Sequence, residues 1–307
     1  MLVKLKPMIR YKLTYLKVLG LMLSFVPFLS LAQNANTQSK EKKGLTNSNI
    51  DVIRNIRYGN PPDGIGQDTS SDRLLDLYRP SILDGKELPV ILFIHGGGFA
   101  GGDKRAKGNE MICMHLANEG FVVISMNYYL TLKHEKTPGA SCSANMAAGI
   151  PTEGFHPKLQ KAIQDASADA QAVLKWIKRF AGTYKLDLSR VAISGGSAGA
   201  MTALYTAYMA EDNPVQIKAV IDFWGGLEKT QAIQKNNSPA LLAYHGDQDE
   251  LIHVDYAYAL KDRLDELGQK QSFLHVMKGK GHARYDIISK EKIPEISGFL
   301  KQVLAIP

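Results

Sequence analysis

Glycine stands two residues to either side of Ser197 in Gly195-Gly196-Ser197-Ala198-Gly199, between the apolar run Arg190-Val191-Ala192-Ile193-Ser194 and the helix-forming Ala200-Met201-Thr202-Ala203-Leu204. No other feature of the chain constrains its fold as tightly. A backbone that passes from strand to helix within a residue or two curves so sharply that side chains beside the bend would collide, and glycine removes them. The bend lifts the serine hydroxyl out at the strand end, where it can meet a ligand. Composition alone would produce this spacing about 0.14 times in such a chain, so the pattern needs support.

Support comes from His95-Gly96-Gly97-Gly98, which follows a second apolar run, Val90-Ile91-Leu92-Phe93-Ile94. Chance gives this tetrapeptide only about 0.005 times. A serine attacking a carbonyl leaves negative charge on its oxygen, and backbone N–H groups free of side chains can receive that charge. Gly97 and Gly98 are the expected donors on one side. Ala198, first in the helix after the serine, is the expected donor on the other, where the helix N-terminus adds partial positive charge.

These residues resemble the α/β-hydrolases, and within them the carboxylesterases and lipases with an HGGG turn. His95-Gly96-Gly97-Gly98-Phe99, with Gly102-Asp103-Lys104 downstream, is most similar to small secreted acetyl and feruloyl esterases and to hormone-sensitive-lipase-like esterases. The likeness covers roughly residues 72–304. One departure is that hormone-sensitive-lipase-like enzymes usually have Asp before the nucleophile, where this chain has Gly196. The resemblance implies a two-step acyl transfer to Ser197 on short-acyl or carbohydrate-linked esters, with no cofactor and no metal. It also implies a base and an orienting carboxylate in the chain order Ser, Asp or Glu, His.

The histidines downstream of Ser197 are His245, His253, His275 and His282. Ala240-Leu241-Leu242-Ala243-Tyr244 reads as a strand, and the following His245-Gly246-Asp247-Gln248-Asp249 resembles the family's HGxxD segment, which makes Asp249 the preferred acid. Asp247 and Asp222 are the alternatives. His282, in a glycine-rich loop after the strand Ser272–Met277, is the preferred base because such a loop can carry an imidazole over the sheet. His275 is expected to be packed inside its strand, His253 to open a helix, His245 to be structural, and His95 to brace the glycine turn.

A 307-residue chain with 45% hydrophobic residues can bury a large core. The apolar runs at 74–78, 90–94, 121–126, 190–194, 217–223, 240–244 and 272–277 alternate with helical segments near 109–119, 157–180, 198–204, 255–267 and 293–304. That alternation predicts one α/β domain over residues 51–307, with a mostly parallel sheet covered by helices on both faces. The first 32 residues hold five basic side chains and no acidic one, then an apolar stretch ending Ser30-Leu31-Ala32. They read as a secretory signal peptide cleaved after Ala32, and Pro27 within only fifteen apolar residues argues against a membrane anchor. Residues 33–50 are polar and read as a disordered linker.

Without that leader the net charge falls from +7 to +2, which weakens any nucleic-acid or membrane-surface reading. Cys113 and Cys142 could form one disulfide in an exported protein or remain two buried thiols. Residues 129–156 lack periodicity and are expected either to wall a substrate cleft or to form a surface excursion. Two other functions are compatible with the scaffold: a serine peptidase, disfavoured because the chain has no room for a propeller or lid domain, and a non-catalytic binding protein.

Overall fold

The structure is a computed structural model that describes residues 49–234 and 238–306. In chain order it forms β1 (Ile50–Arg57), β2 (Leu74–Pro80), β3 (Leu88–Ile94), α1 (Lys107–Asn118), β4 (Val122–Met126), and the short helices α2 (Thr131–His134) and α3 (Cys142–Met146). The long helix α4 (Pro157–Tyr184) follows, then β5 (Leu186–Gly196), α5 (Ala198–Tyr208), β6 (Ile217–Phe223), β7 (Ala240–Gly246), α6 (Asp255–Glu266) and β8 (Phe273–Met277). One turn of α7 (Tyr285–Ile287) continues through a π-helical stretch into α8 (Ile293–Val303). The eight strands make one sheet in the order β1-β2-β4-β3-β5-β6-β7-β8, parallel from β4 to β8 and antiparallel only at β1 and β2.

Continuous apolar strands produce this arrangement because both faces of the sheet are covered. Along β3, Val90, Leu92 and Ile94 enter a core with α4, α5 and α6, while Ile91 and Phe93 enter a second core with α1 and α8. Each fully buried Leu, Ile or Phe contributes about 1.5–3 kcal/mol through removal of apolar surface from water. The chain goes outward from β3 to β4, then crosses back to β5 on the other side. Neighbouring loops therefore diverge above the carboxyl ends of β3 and β5, and this crevice is where parallel sheets bind ligands. It lies between the two glycine motifs.

The strand β1 was not expected, and Ile50, assigned to the linker, already pairs with Pro80. The expected leader, 1–32, and residues 33–48 of the expected linker lie outside the described residues. Among the described residues no helix is long and apolar enough to cross a membrane. Cys113 and Cys142 are both buried free thiols. They belong to cores on opposite faces of the sheet, so the disulfide alternative does not hold. In the 129–156 excursion, the Cys142 thiol lies 3.8 Å from the Met201 sulfur, and the carbonyls of Met146 and Gly149 accept from the His253 amide and the Tyr256 hydroxyl.

Candidate active site

Ser197 follows β5 directly and caps the N-terminus of α5 with φ 55° and ψ −124°. A non-glycine residue in this left-handed region is strained and persists only where its surroundings hold it. Here the Ser197 amide donates to the Phe223 carbonyl at 2.9 Å. The flanking glycines are required by close approach of backbone. A Cβ on Gly195 would lie 2.4 Å from the Gly199 carbonyl carbon, and one on Gly199 would lie 2.1 Å from the Ile94 carbonyl oxygen.

Asp249 and His282 come from the loops after β7 and β8. The Nδ1 of His282 lies 2.7 Å from Asp249 Oδ2, and its Nε2 lies 2.8 Å from Ser197 Oγ. A carboxylate can only accept, so Nδ1–H is the donor and Nε2 is left to accept the serine hydroxyl. The other carboxylate oxygen, Oδ1, accepts the amides of Leu251 and Ile252 at 2.9 and 3.0 Å. Burial works to raise the pKa of the Asp249 carboxyl, but the bonds from His245, His282 and the Ile252 amide hold it well below the usual carboxylate range. It is therefore ionised at neutral pH.

The alternative acids are placed elsewhere. Asp247 is exposed and accepts the Gly279 amide at 2.7 Å, which ties the loop before His282 to the end of β7. Asp222 lies inside the sheet layer, accepts the Gly225 amide at 2.7 Å through Oδ1, and has no partner for Oδ2 among the described residues. Burial pushes its carboxyl up to about 6 against the pull of His245 and that amide. Neither Asp247 nor Asp222 bonds to His282.

The remaining histidines also have defined places. His245 is fully buried with Nε2 2.8 Å from the Ile252 carbonyl and 3.3 Å from Asp249 Oδ2. His253 pairs with Asp255 at the start of α6. His275 is not packed inside its strand as expected: β8 is the sheet's edge, and the imidazole stacks on Tyr244 and pairs with Glu295 at 2.7 Å, its side chain 41% exposed. His95 is buried, stacks on Tyr128 at 4.6 Å and donates from Nδ1 to the Gly96 carbonyl at 2.7 Å. Burial pushes it down to about 4, so it is neutral and braces the turn.

Gly97 and Gly98 have φ of 124° and 61°, conformations that favour glycine. The Gly97 carbonyl accepts from the amides of Ala100 and Gly101, closing the turn. Its base rests on the serine, since a Cβ on Gly96 would be 3.2 Å from Ser197 Cβ. Ala198 is the first residue of α5. Sequence reasoning missed Trp224, whose ring meets that of His282 at 6.2 Å and 64°, and Tyr285, which stands edge-on to Trp224. It also missed that His245 faces Asp249, although the four-residue spacing between them was a visible signal.

Comparison with known proteins agrees with this architecture. A family model described as BD-FAE matches residues 75–146, and one described as alpha/beta hydrolase fold matches residues 159–282. Esterase LipC of Mycobacterium tuberculosis is 24% identical over 260 residues, covering 76% of this chain and 60% of that protein. A truncated carbohydrate esterase from gut microbiota superimposes with a TM-score of 0.60 at 17% identity, covering 86% of this chain and 100% of the other. Thermogutta terrifontis esterase 2, phosphorylated by paraoxon, gives 0.59 at 19% identity, covering 83% and 94%. The chain has the α/β-hydrolase fold, and these relatives are esterases. It spans 60% or less of the length of the curated mycobacterial esterases it matches.

Proposed function

We propose that this chain is a serine carboxylic-ester hydrolase in which Ser197 is the nucleophile, His282 the base and Asp249 the orienting acid. The observation that carries the reading is the continuous pair of hydrogen bonds from Ser197 Oγ through both ring nitrogens of His282 to Asp249. Ser197 Oγ attacks the ester carbonyl while His282 Nε2 takes the hydroxyl proton, and the oxyanion is received by the amides of Gly97, Gly98 and Ala198. Collapse of the tetrahedral intermediate breaks the bond to the alcohol, which leaves with the proton from His282. Water then repeats the attack on acyl-Ser197 and releases the acid. Asp249 remains a carboxylate throughout and holds the Nδ1–H tautomer.

The proposed substrates are short-acyl or carbohydrate-linked acetyl and feruloyl esters, and the proposed setting is outside the cytoplasm after cleavage at Ala32. The test is hydrolysis of p-nitrophenyl acetate, acetylated xylan and a feruloyl ester by wild type and Ser197→Ala, with fluorophosphonate labelling of Ser197. Hydrolysis by the folded wild type and its loss in a folded Ser197→Ala is expected. Full activity in that variant, or none in the wild type, overturns the reading.

A further inference from the structure

Three glycines around the catalytic turns face one side chain, Tyr285, three residues beyond His282. A Cβ on Gly196 would lie 2.2 Å from the Tyr285 hydroxyl oxygen and 2.8 Å from its Cζ. One on Gly108, near the start of α1, would lie 2.7 Å from Tyr285 Cβ. One on Gly96 would lie 3.2 Å from the hydroxyl, with the Gly196 carbonyl nearer still at 2.7 Å.

Unlike Gly97 and Gly98, these three do not have the positive φ that would call for glycine. Gly196 has no backbone atom among the three nearest neighbours of its Cβ position; all three belong to Tyr285. The absence of a side chain before Ser197 is therefore explained by what occupies the space. The tyrosine ring stands perpendicular to Trp224, at 87° with centroids 4.9 Å apart, and Trp224 in turn meets His282. Burial pushes the Tyr285 hydroxyl up to about 12, so it stays protonated.

We propose that Tyr285 is a positioning residue for the nucleophile: it fills from the His282 loop the space that a side chain at 196 would take, and so sets the placement of Ser197 against the Gly96 turn. The inference rests on the proposed role of Ser197. Its consequence is mutual exclusion, because the space is filled either from position 196 or from position 285.

The experiment is a cycle of Gly196→Ala, Tyr285→Ala and the double variant, with Tyr285→Phe added. The readouts are kcat and KM on p-nitrophenyl acetate, the rate of Ser197 labelling by a fluorophosphonate, and melting temperature. Displacing a reacting atom by about 1 Å costs on the order of 100-fold, so Gly196→Ala is expected to lower kcat and labelling by about that factor. Tyr285→Ala should lower kcat about 10-fold with KM little changed, since the loosened serine still binds ester. The double variant should recover at least about 10-fold over Gly196→Ala, because residues in contact are not additive. Tyr285→Phe should give no full rescue, as its Cζ still blocks a Cβ at 196.

Equal cost of Gly196→Ala with and without Tyr285 overturns the inference. So does a Tyr285→Ala variant that changes melting temperature alone. If Gly196→Ala fails to fold and the double variant folds, the pairing is supported; if both fail, it is overturned. The melting cycle reads the coupling without turnover, so an inactive wild type would sink the proposed hydrolysis separately from this pairing.

Discussion

Asp249, in the loop after β7, and Asp222, within the neighbouring β6, are 5% and 1% exposed, yet their carboxyl groups are displaced in opposite directions. Asp249 receives two backbone amides on one oxygen and the imidazoles of His282 and His245 on the other. Asp222 receives one amide, and its second oxygen has no partner among the described residues. Burial disfavours the charged form of both, so the number of donors decides which is an anion. The loop after β7 supplies donors because its backbone turns back on Asp249. The interior of β6 has none to spare, since its amides are committed to the sheet.

The widest separation should appear in turnover. Asp249→Asn keeps the shape but offers an amide where His282 Nδ1–H needs an acceptor, and is expected to lower kcat by about 1,000- to 10,000-fold. Asp222→Asn should stay within about threefold of wild type. Steady-state hydrolysis of p-nitrophenyl acetate by the two purified variants decides it, and a reversed order would assign the acid to Asp222.

Stability against pH separates the pair by sign. The folded protein raises Asp222 from 3.8 to about 6, so its contribution is complete below about pH 3.8 and is lost as pH rises through 6. Asp249 is lowered, so its contribution is present above the ordinary carboxylate value and lost as pH falls through its native value. For Asp222 the swing is on the order of 3 kcal/mol. Urea unfolding at pH 4, 5, 6 and 7 should therefore show wild type losing about that much relative to Asp222→Asn, whatever constant offset the amide introduces. A difference that does not vary with pH would show that Asp222 ionises normally.

Much of this arrangement is legible in the residues. Val90–Ile94 and Ala240–Tyr244 are apolar without interruption, as strands buried on both faces must be, and each is followed by residues of the site. The meeting of Ser197, Asp249 and His282 is readable from their order beyond strand ends only together with the resemblance of His245–Asp249 to the family's HGxxD segment, which separates Asp249 from Asp247. β1 is not readable: Asp51-Val52-Ile53-Arg54-Asn55-Ile56-Arg57 alternates loosely, and its register shifts between Ile53 and Ile56, with Asn55 at φ 55°. Its strand character comes from pairing with β2, a tertiary contact. The missing side chain at Gly196 is visible in the sequence, but Tyr285 is 89 positions away and no local pattern joins them. The separation of Cys113 from Cys142 likewise depends on which face of the sheet each helix covers.

The smallest test concerns His245, the buried group that faces both carboxylates. Its Nε2–H bonds primarily to the Ile252 carbonyl at 2.8 Å and reaches Asp249 Oδ2 at a longer 3.3 Å. Losing it leaves Asp249 with two amides and His282, so the carboxylate should stay ionised but less firmly aimed. His245→Asn is expected to lower kcat about 5- to 30-fold with KM unchanged, the range for loss of one hydrogen bond of about 1–2 kcal/mol. Kinetics of the folded variant check this, with its melting temperature as control. A loss as deep as that of Asp249→Asn would mean that the two amides cannot hold the carboxylate alone, and that donor count at Asp249 matters less than the imidazole behind it.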